Sequence, residues 1–425
     1  MTSHVADFHR VESSSRTLKV GCLGIEELAC QYGTPLYVFD GKALQAQMEN
    51  VGQGLGSPRI RLLYSIKANA GLALLARIRA AGFGLDACSP GDVYLARRAG
   101  AQPHEISYTA VGLGVREIAE LSQAGIHLNL DSIQEAERYA ATCPGRPAGL
   151  RVVPGIEAGF HPHCRSGTWG GKFGIPPEDL PAAVQVLSRA GCAVDTLHAH
   201  IGSSIAEAGP HLQALDRLLA VAEDIPTVQE INLGGGLAAP FHPDDRPYPL
   251  SELRAGIEDR LGTFERKFAR SMIAVLEPGE LLVSEAGSLL VSVLLTKRLE
   301  RDGKRVSLAI VDGGMNLFPA HSLYGSYLHV YVSGKEGPNE PRSAWDIYGN
   351  TNQTGDRMAT ALSLPEIVSG DLLLFRNAGS YAWCRSTNFN QRPRPGEVWV
   401  EGGQAVLVRE PETLHDLHRG QHALI

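Results

Sequence analysis

Residues 61–98 read RLLYSIKANAGLALLARIRAAGFGLDACSPGDVYLARR. A strand-like run from Arg61 to Ser65 passes into the helix-like segment Gly71 to Ala81. A second strand-like run, Gly84 to Asp86, passes into Pro90 to Arg98. Strand, helix, strand, helix with no hairpin turn between is the repeat of a parallel sheet, whose neighbouring strands need a long crossover. The alternation extends in both directions. Upstream, the first 34 residues are polar and weakly periodic and end at the turn signal Gly33-Thr34-Pro35, after which Pro35 to Phe39 reads as a strand. Downstream, strand-like runs follow at His127 to Asp131, Gly149 to Val153, Thr196 to Ile201, Gln229 to Leu233 and Met272 to Glu277. Helix-like segments lie between them at Arg116 to Ala124, Ser132 to Ala141, Pro177 to Ala190 and Gly209 to Ala222. Such an array over about 240 residues has the size of a (β/α)8 barrel.

Beyond Glu277 the texture changes. Leu281 to Leu290, Leu289 to Thr296, Val306 to Asp312, Leu328 to Ser333, Asp371 to Phe375 and Glu397 to Glu401 are β-rich runs with little helical material between them. They predict a second, mainly antiparallel β domain. The predicted division is a barrel over residues 36–277 and a β-rich domain built from residues 1–35 with 278–425.

The 425 residues are 44% hydrophobic and 20% charged, the proportions of a globular chain. A net charge of −7 argues against a general binder of nucleic acid or anionic membrane. Seven cysteines without paired CxxC spacing indicate neither a disulfide framework nor a structural zinc module. The opening MTSHVADFHRVESSS lacks the apolar core of a secretory signal, and no run approaches the ~18 apolar residues that span a bilayer. The expectation is a cytoplasmic enzyme with no nucleic-acid or membrane partner.

A barrel carries its active site at the carboxyl ends of its strands, which makes the residues closing each run the candidates. Lys67 follows Leu62 to Ile66. There it is either a desolvated, nucleophilic amine or a surface lysine on a β–α loop. His198 and His200 are two apart on one strand face; a zinc pair needs a third ligand at metal spacing, so no metal is expected. A histidine ring can instead stack on a flat cofactor. Asn232-Leu233-Gly234-Gly235-Gly236 ends a strand in glycines whose N–H groups suit a phosphate, although a plain flexible turn reads the same. Glu277 closes the last barrel run with a carboxylate, or is a solvated strand end. Together these are the parts pyridoxal 5'-phosphate requires: an amine for a Schiff base, a ring to stack, a phosphate cradle and a partner for the pyridine nitrogen.

The ordered motifs YSIKAN, GLDACSPGD, LRVVPG, KFGI, HAHIGSS, NLGGGL, EPGE, DGGMN, NAGSYA and NFNQRPRPGEV carry a resemblance to a known family. It is the pyridoxal-phosphate decarboxylases with an alanine-racemase-type barrel, which include diaminopimelate and ornithine decarboxylases. The resemblance implies that Lys67 holds the cofactor covalently, with Asp86 and Arg151 in the polar network around it. It implies that His200 stacks on the ring and Glu277 pairs with the pyridine nitrogen. Phosphate would be bound by Ser203, the N–H groups of Gly234, Gly235 and Gly236, and the Tyr381 hydroxyl. Members of the family are usually homodimers with shared active sites, the second chain giving Tyr324 and the segment after Gly349.

The departures concern the substrate. EPGR is here EPGE, so Glu280 stands where an arginine usually sits near the phosphate and the substrate's carboxylate. The usual arginine before Pro-Ala-Leu-Tyr is absent, and the usual cysteine–acid pair is Asn352-Gln353. Neither amide donates a proton as an acid or neutralises an ammonium. Arg385 is expected to restore a cation for a carboxylate, and its neighbour Cys384 to be a packing cysteine rather than a replacement thiol. The predicted activity is decarboxylation of a non-standard amino acid or amine-bearing intermediate. Amino-acid racemisation on the same cofactor, and a non-catalytic protein that binds a partner, are the alternatives.

Overall fold

The computed structural model describes residues 18–301, 303–337, 339–422 and 424. Eight parallel strands close into a barrel: β1 (Ile60–Ser65), β2 (Gly84–Ala87), β3 (Ile106–Thr109), β4 (His127–Leu130), β5 (Ala148–Arg151), β6 (Val194–His198), β7 (Glu230–Asn232) and β8 (Ile273–Leu276). Each pairs with the next, and β8 closes on β1 through Leu276 opposite Leu62. The strands are short and buried on both faces, as a parallel barrel wrapped in helices demands.

Two of the connecting helices begin at side-chain caps. Ser89 accepts the Asp92 N–H and Pro90 takes the first turn of Pro90–Arg98, while Ser132 accepts the Glu135 N–H at the start of Ile133–Thr142. The long helix Leu250–Phe268 turns Leu250, Leu253, Ile257, Leu261 and Phe264 inward, a 3–4 residue repeat that fixes one apolar face. The barrel unit comprises residues 48–240 and 246–282.

The strand reading is corrected at the amino end. The run expected at Pro35 to Phe39 forms the strand Leu36–Asp40 but does not enter the barrel. It lies in the other unit's sheet, antiparallel to Gly287–Arg301 and parallel to Glu397–Glu401. Leu36 and Val38 join Leu290, Leu374, Val398 and Val400 in that core, and the buried Tyr37 hydroxyl donates to the Leu317 carbonyl at 2.6 Å. The place in the barrel belongs to Ile106–Thr109, which the apolar pattern had passed over.

Among the described residues, the second unit takes residues 18–47, Phe241–Asp245 and the chain from Val283. Residues 1–17 of the expected β-rich domain lie outside the described residues. Its sheet runs, in spatial order, Arg357–Pro365, Arg342–Tyr348, Lys304–Val311, Gly287–Arg301, Leu36–Asp40, Glu397–Glu401 and Gln404–Arg409. Most pairs are antiparallel, as expected; Lys304–Val311 with Arg342–Tyr348 and Leu36–Asp40 with Glu397–Glu401 are parallel. The run expected to begin at Leu281 starts as the short helix Glu280–Val283, and one long strand, Gly287–Arg301, absorbs both predicted runs.

Candidate active site

The barrel brings the predicted side chains of its unit to one end. Lys67 sits in the single turn Ile66–Ala68 after β1, an exposed residue between two buried ones. Its charge is felt by Asp86, Cys88, His198, His200 and Glu277, which places those groups around it.

Asp86, on β2, is buried; its Oδ2 accepts the Ser65 hydroxyl at 2.7 Å and its Oδ1 has no hydrogen-bond partner. Burial, then the nearby Glu277 charge, push the Asp86 carboxyl well above the usual carboxylate range, against the pull of Lys67. Glu277, after β8, goes the other way. Burial raises it, but His198, Lys67 and the amide of Asn232 outweigh that and hold it low; Asn232 Nδ2 donates to Glu277 Oε1 at 2.7 Å. Two buried carboxyls in one site are thus driven apart, Asp86 toward the acid and Glu277 toward the anion.

Arg151, the last residue of β5, is buried, donates to Asp131 Oδ1 at 3.3 Å and lies 4.3 Å from the Phe173 ring centroid. The two histidines part company rather than sharing a strand face. His198 ends β6, whereas His200 lies beyond it and accepts the Gly235 N–H on Nδ1 at 3.3 Å. That contact leaves the His200 proton on Nε2. Burial and the charges of Lys67 and Arg151 push its pKa well down, so the ring is neutral.

The glycines are required. A Cβ at Gly236 would lie 2.1 Å from the Gly202 carbonyl oxygen, at Gly235 2.3 Å from the Glu277 carbonyl oxygen, and at Gly234 2.8 Å from His200 Nδ1. Gly234 and Gly236 also have φ of +66° and +86°, open to glycine at no steric cost. The loop is braced from behind by His211, whose Nε2–H donates to the Gly235 carbonyl at 3.0 Å while Nδ1 accepts the Tyr248 hydroxyl at 3.0 Å. Ser203 stands in the neighbouring turn with its N–H on the Cys164 carbonyl at 3.1 Å, and Ser204 adopts φ of +52°.

Glu280 joins those two loops: its Oε1 accepts the Ser204 hydroxyl at 2.7 Å and approaches the Ala239 N–H at 3.5 Å. Burial pushes its carboxyl up to about 7 from an ordinary 4.5. A group that holds its proton more tightly when folded stabilises the fold below its unfolded pKa, and that contribution is lost as pH rises through 7. Glu280→Gln is therefore expected to gain about 1 kcal/mol of stability relative to wild type between pH 6 and pH 8. Denaturant melts at the two pH values check this, and an identical difference at both would refute it.

In the second unit, Arg385 donates to the Tyr324 hydroxyl at 2.8 Å, so two predicted substrate residues meet. Asn352 and Gln353 are exposed on a loop organised by Asp356, which accepts Met315 N–H at 2.6 Å and Thr351 N–H at 2.9 Å. The Asn352 N–H donates to Asn390 Oδ1 at 2.6 Å. Tyr381 has φ of +52°. Burial pushes the Cys384 thiol up to about 11, the behaviour of a packing cysteine.

Ser65, Asn232, His211 and Tyr248 have no role in the sequence reading, and His198 enters it only beside His200, as a zinc pair or a ring to stack. Asn232 had a signal, as the polar residue closing a strand just before the glycines. His211 and Tyr248 had none, being 37 residues apart on separate elements.

Residues 42–284 match the pyridoxal binding domain of the pyridoxal-dependent decarboxylases. The chain belongs to that family. This decarboxylase is 35% identical to the diaminopimelate decarboxylase of Methanothermobacter thermautotrophicus, over 95% of each chain. It is 30% identical to that of Pseudomonas aeruginosa, over 95% of this chain and 96% of the other. The crystal structure of the Helicobacter pylori diaminopimelate decarboxylase complexed with L-lysine superposes with a TM-score of 0.85 at 25% identity, covering 93% of this chain and 98% of that one. The cofactor of the family is pyridoxal phosphate, and the relatives are decarboxylases, which favours decarboxylation over racemisation or a non-catalytic role. The residues fit that cofactor. A cradle that any Cβ would fill and an unpartnered Asp86 Oδ1 converge beside Lys67 and Glu277. No helix among the described residues is long and apolar enough to cross a membrane.

Proposed function

We propose that this decarboxylase removes the α-carboxylate of a non-standard amino acid or amine-bearing intermediate, using Lys67 as the cofactor-bearing amine. The observation that carries the substrate half is the loop around Asp356, which presents two neutral amides, Asn352 and Gln353, where the family resemblance leads one to expect a thiol and an acid. The diaminopimelate on which the relatives are named to act is therefore a poor substrate here.

When bound, pyridoxal phosphate supplies an aldehyde that condenses with amines and a ring that accepts the electrons left as carbon dioxide departs. Lys67 Nζ would be the amine that holds the cofactor. The Glu277 carboxylate, oriented by Asn232, keeps a proton on the pyridine nitrogen. Neutral His200, fixed by the Gly235 N–H, offers its face to the ring. The N–H groups of Gly234 to Gly236, with Ser203 and the Tyr381 hydroxyl, bind the phosphate, and Asp86 and Arg151 set the polarity around Lys67. Glu280, Tyr324, Asn352, Gln353 and Arg385 read the substrate. The protein works in the cytoplasm as a homodimer whose partner chain contributes to each site.

A panel of D- and L-diamino acids and citrate-linked amino acids, followed by carbon dioxide release and chiral analysis of the product, tests this reading. Turnover of a panel member at least about tenfold above that of diaminopimelate is expected, and diaminopimelate as the best substrate overturns the substrate assignment.

A further inference from the structure

His198 ends β6 with its side chain 2% exposed, and Glu277 beside it is 3% exposed. Neither imidazole nitrogen has a hydrogen-bond partner, yet Nε2 lies 3.5 Å from Glu277 Oε1. That is short of a hydrogen bond and within reach of one by a small rotation. A buried polar group left unpaired is costly, and this one is aimed at a carboxylate already held on the same oxygen by Asn232. The charged groups that act on the ring are Glu277, Arg151 and Lys67. Burial, ahead of Glu277's opposing pull, pushes His198 down, so it faces Glu277 as a neutral imidazole that donates from Nε2–H.

We propose that His198 is a positioning residue that, with Asn232, holds the Glu277 carboxylate ionised and aimed at the pyridine nitrogen of the bound cofactor. This rests on the assignment of Glu277 to that nitrogen. Asn232 fixes one direction of approach to the carboxylate; a second donor from the adjacent strand fixes its rotation. Without it, the carboxyl is free to take up a proton from the site and give up its hold on the ring.

The test is a double-mutant cycle on the dissociation constant of pyridoxal phosphate, measured by titrating apoprotein and following cofactor absorbance. His198→Phe fills the space without a donor and is expected to weaken binding about tenfold; His198→Gln, which restores an N–H, is expected to stay within about threefold of wild type. In a Glu277→Gln background, His198→Phe should cost nothing further. The absorbance of the bound cofactor should titrate at lower pH in His198→Phe than in wild type, because the ring nitrogen is held protonated less firmly. Equal losses in both backgrounds, or none in either, overturn the proposal. Should the Phe variant not fold, His198→Leu supplies the same comparison. Borohydride reduction of the wild-type holoenzyme is run alongside: a missing adduct at Lys67 sinks the site assignment itself, whereas an intact adduct with an additive cycle sinks only the role of His198.

Discussion

Lys67→Ala is expected to abolish the borohydride-trapped cofactor adduct and to lower carbon dioxide release by at least about a thousandfold, with the fold intact. The turn that carries Lys67 is held by its neighbours: Ile66 and Ala68 are buried, and the Tyr64 hydroxyl donates to the Asn69 carbonyl at 3.0 Å. The side chain itself is exposed, so little packing is lost with it. What disappears is the amine proposed to bear the cofactor and the cation that pulls on both buried carboxyls. Asp86, already pushed up by burial and by Glu277, loses the charge that opposes those effects and stays protonated to still higher pH. Cofactor that remains bound should sit as free aldehyde, and added primary amines should restore part of the turnover. Peptide mapping and circular dichroism decide the matter. A Lys67→Ala protein with wild-type secondary structure and turnover within tenfold of wild type would show that another group carries the cofactor.

The contrast between Asp86 and Glu277 shows what the sequence could and could not reveal. Both close strand-like runs; that position marks Glu277 as a candidate in a barrel, and the family resemblance marks Asp86. Their opposite proton affinities come from neighbours far away in the chain. Asn232, 45 residues before Glu277, supplies the amide, and Ser65, 21 residues before Asp86, supplies the hydroxyl. Local pattern carries no record of such pairs. The same holds for the strands. Leu36–Asp40 is an apolar run that reads identically in a buried barrel strand or in the middle of another sheet; only its partners, Gly287–Leu290 and Glu397–Val400, decide. Ile106–Thr109 failed to register for the opposite reason. Ser107 and Thr109 are buried because Asn129 Nδ2 donates to both hydroxyls, at 3.2 and 2.9 Å, so polar residues occupy positions where a strand normally shows its apolar period.

Divergence at the proposed substrate-reading positions beside the proposed cofactor site has a physical logic. The groups proposed to hold the cofactor are rigid: glycines that accept no Cβ, a carboxylate clamped between strands, a histidine pinned by a backbone N–H. Of the positions that differ, Glu280 is held against Ser204 inside the barrel unit, but Asn352 and Gln353 lie on less constrained ground, an exposed loop whose shape depends on Asp356 rather than on them. Specificity can change there without disturbing the electron sink.

Gly235→Ala tests how rigid that cradle is. The new methyl would lie 2.3 Å from the Glu277 carbonyl oxygen and 3.2 Å from its carbon, both backbone atoms that have no rotamer through which to retreat. The strand ends β7 and β8 must therefore separate, although the Glu277 N–H is held on the Gly234 carbonyl at 2.8 Å. Movement of Gly235 also pulls its N–H from His200 Nδ1 and its carbonyl from His211. One methyl thus disturbs His200, Glu277 and the glycine loop together, the groups proposed to stack on the cofactor ring, pair with its nitrogen and cradle its phosphate. Stability is expected to fall by about 2–3 kcal/mol and cofactor affinity by about a hundredfold or more. Gly209→Ala is the control: nothing lies within 4 Å of its Cβ, it opens the helix Gly209–Glu223, and it should change stability by less than about 0.5 kcal/mol. Denaturant melts and cofactor titration of the two variants side by side give the answer. Wild-type cofactor affinity in Gly235→Ala would mean that the glycine loop yields without cost, and that the phosphate is held elsewhere.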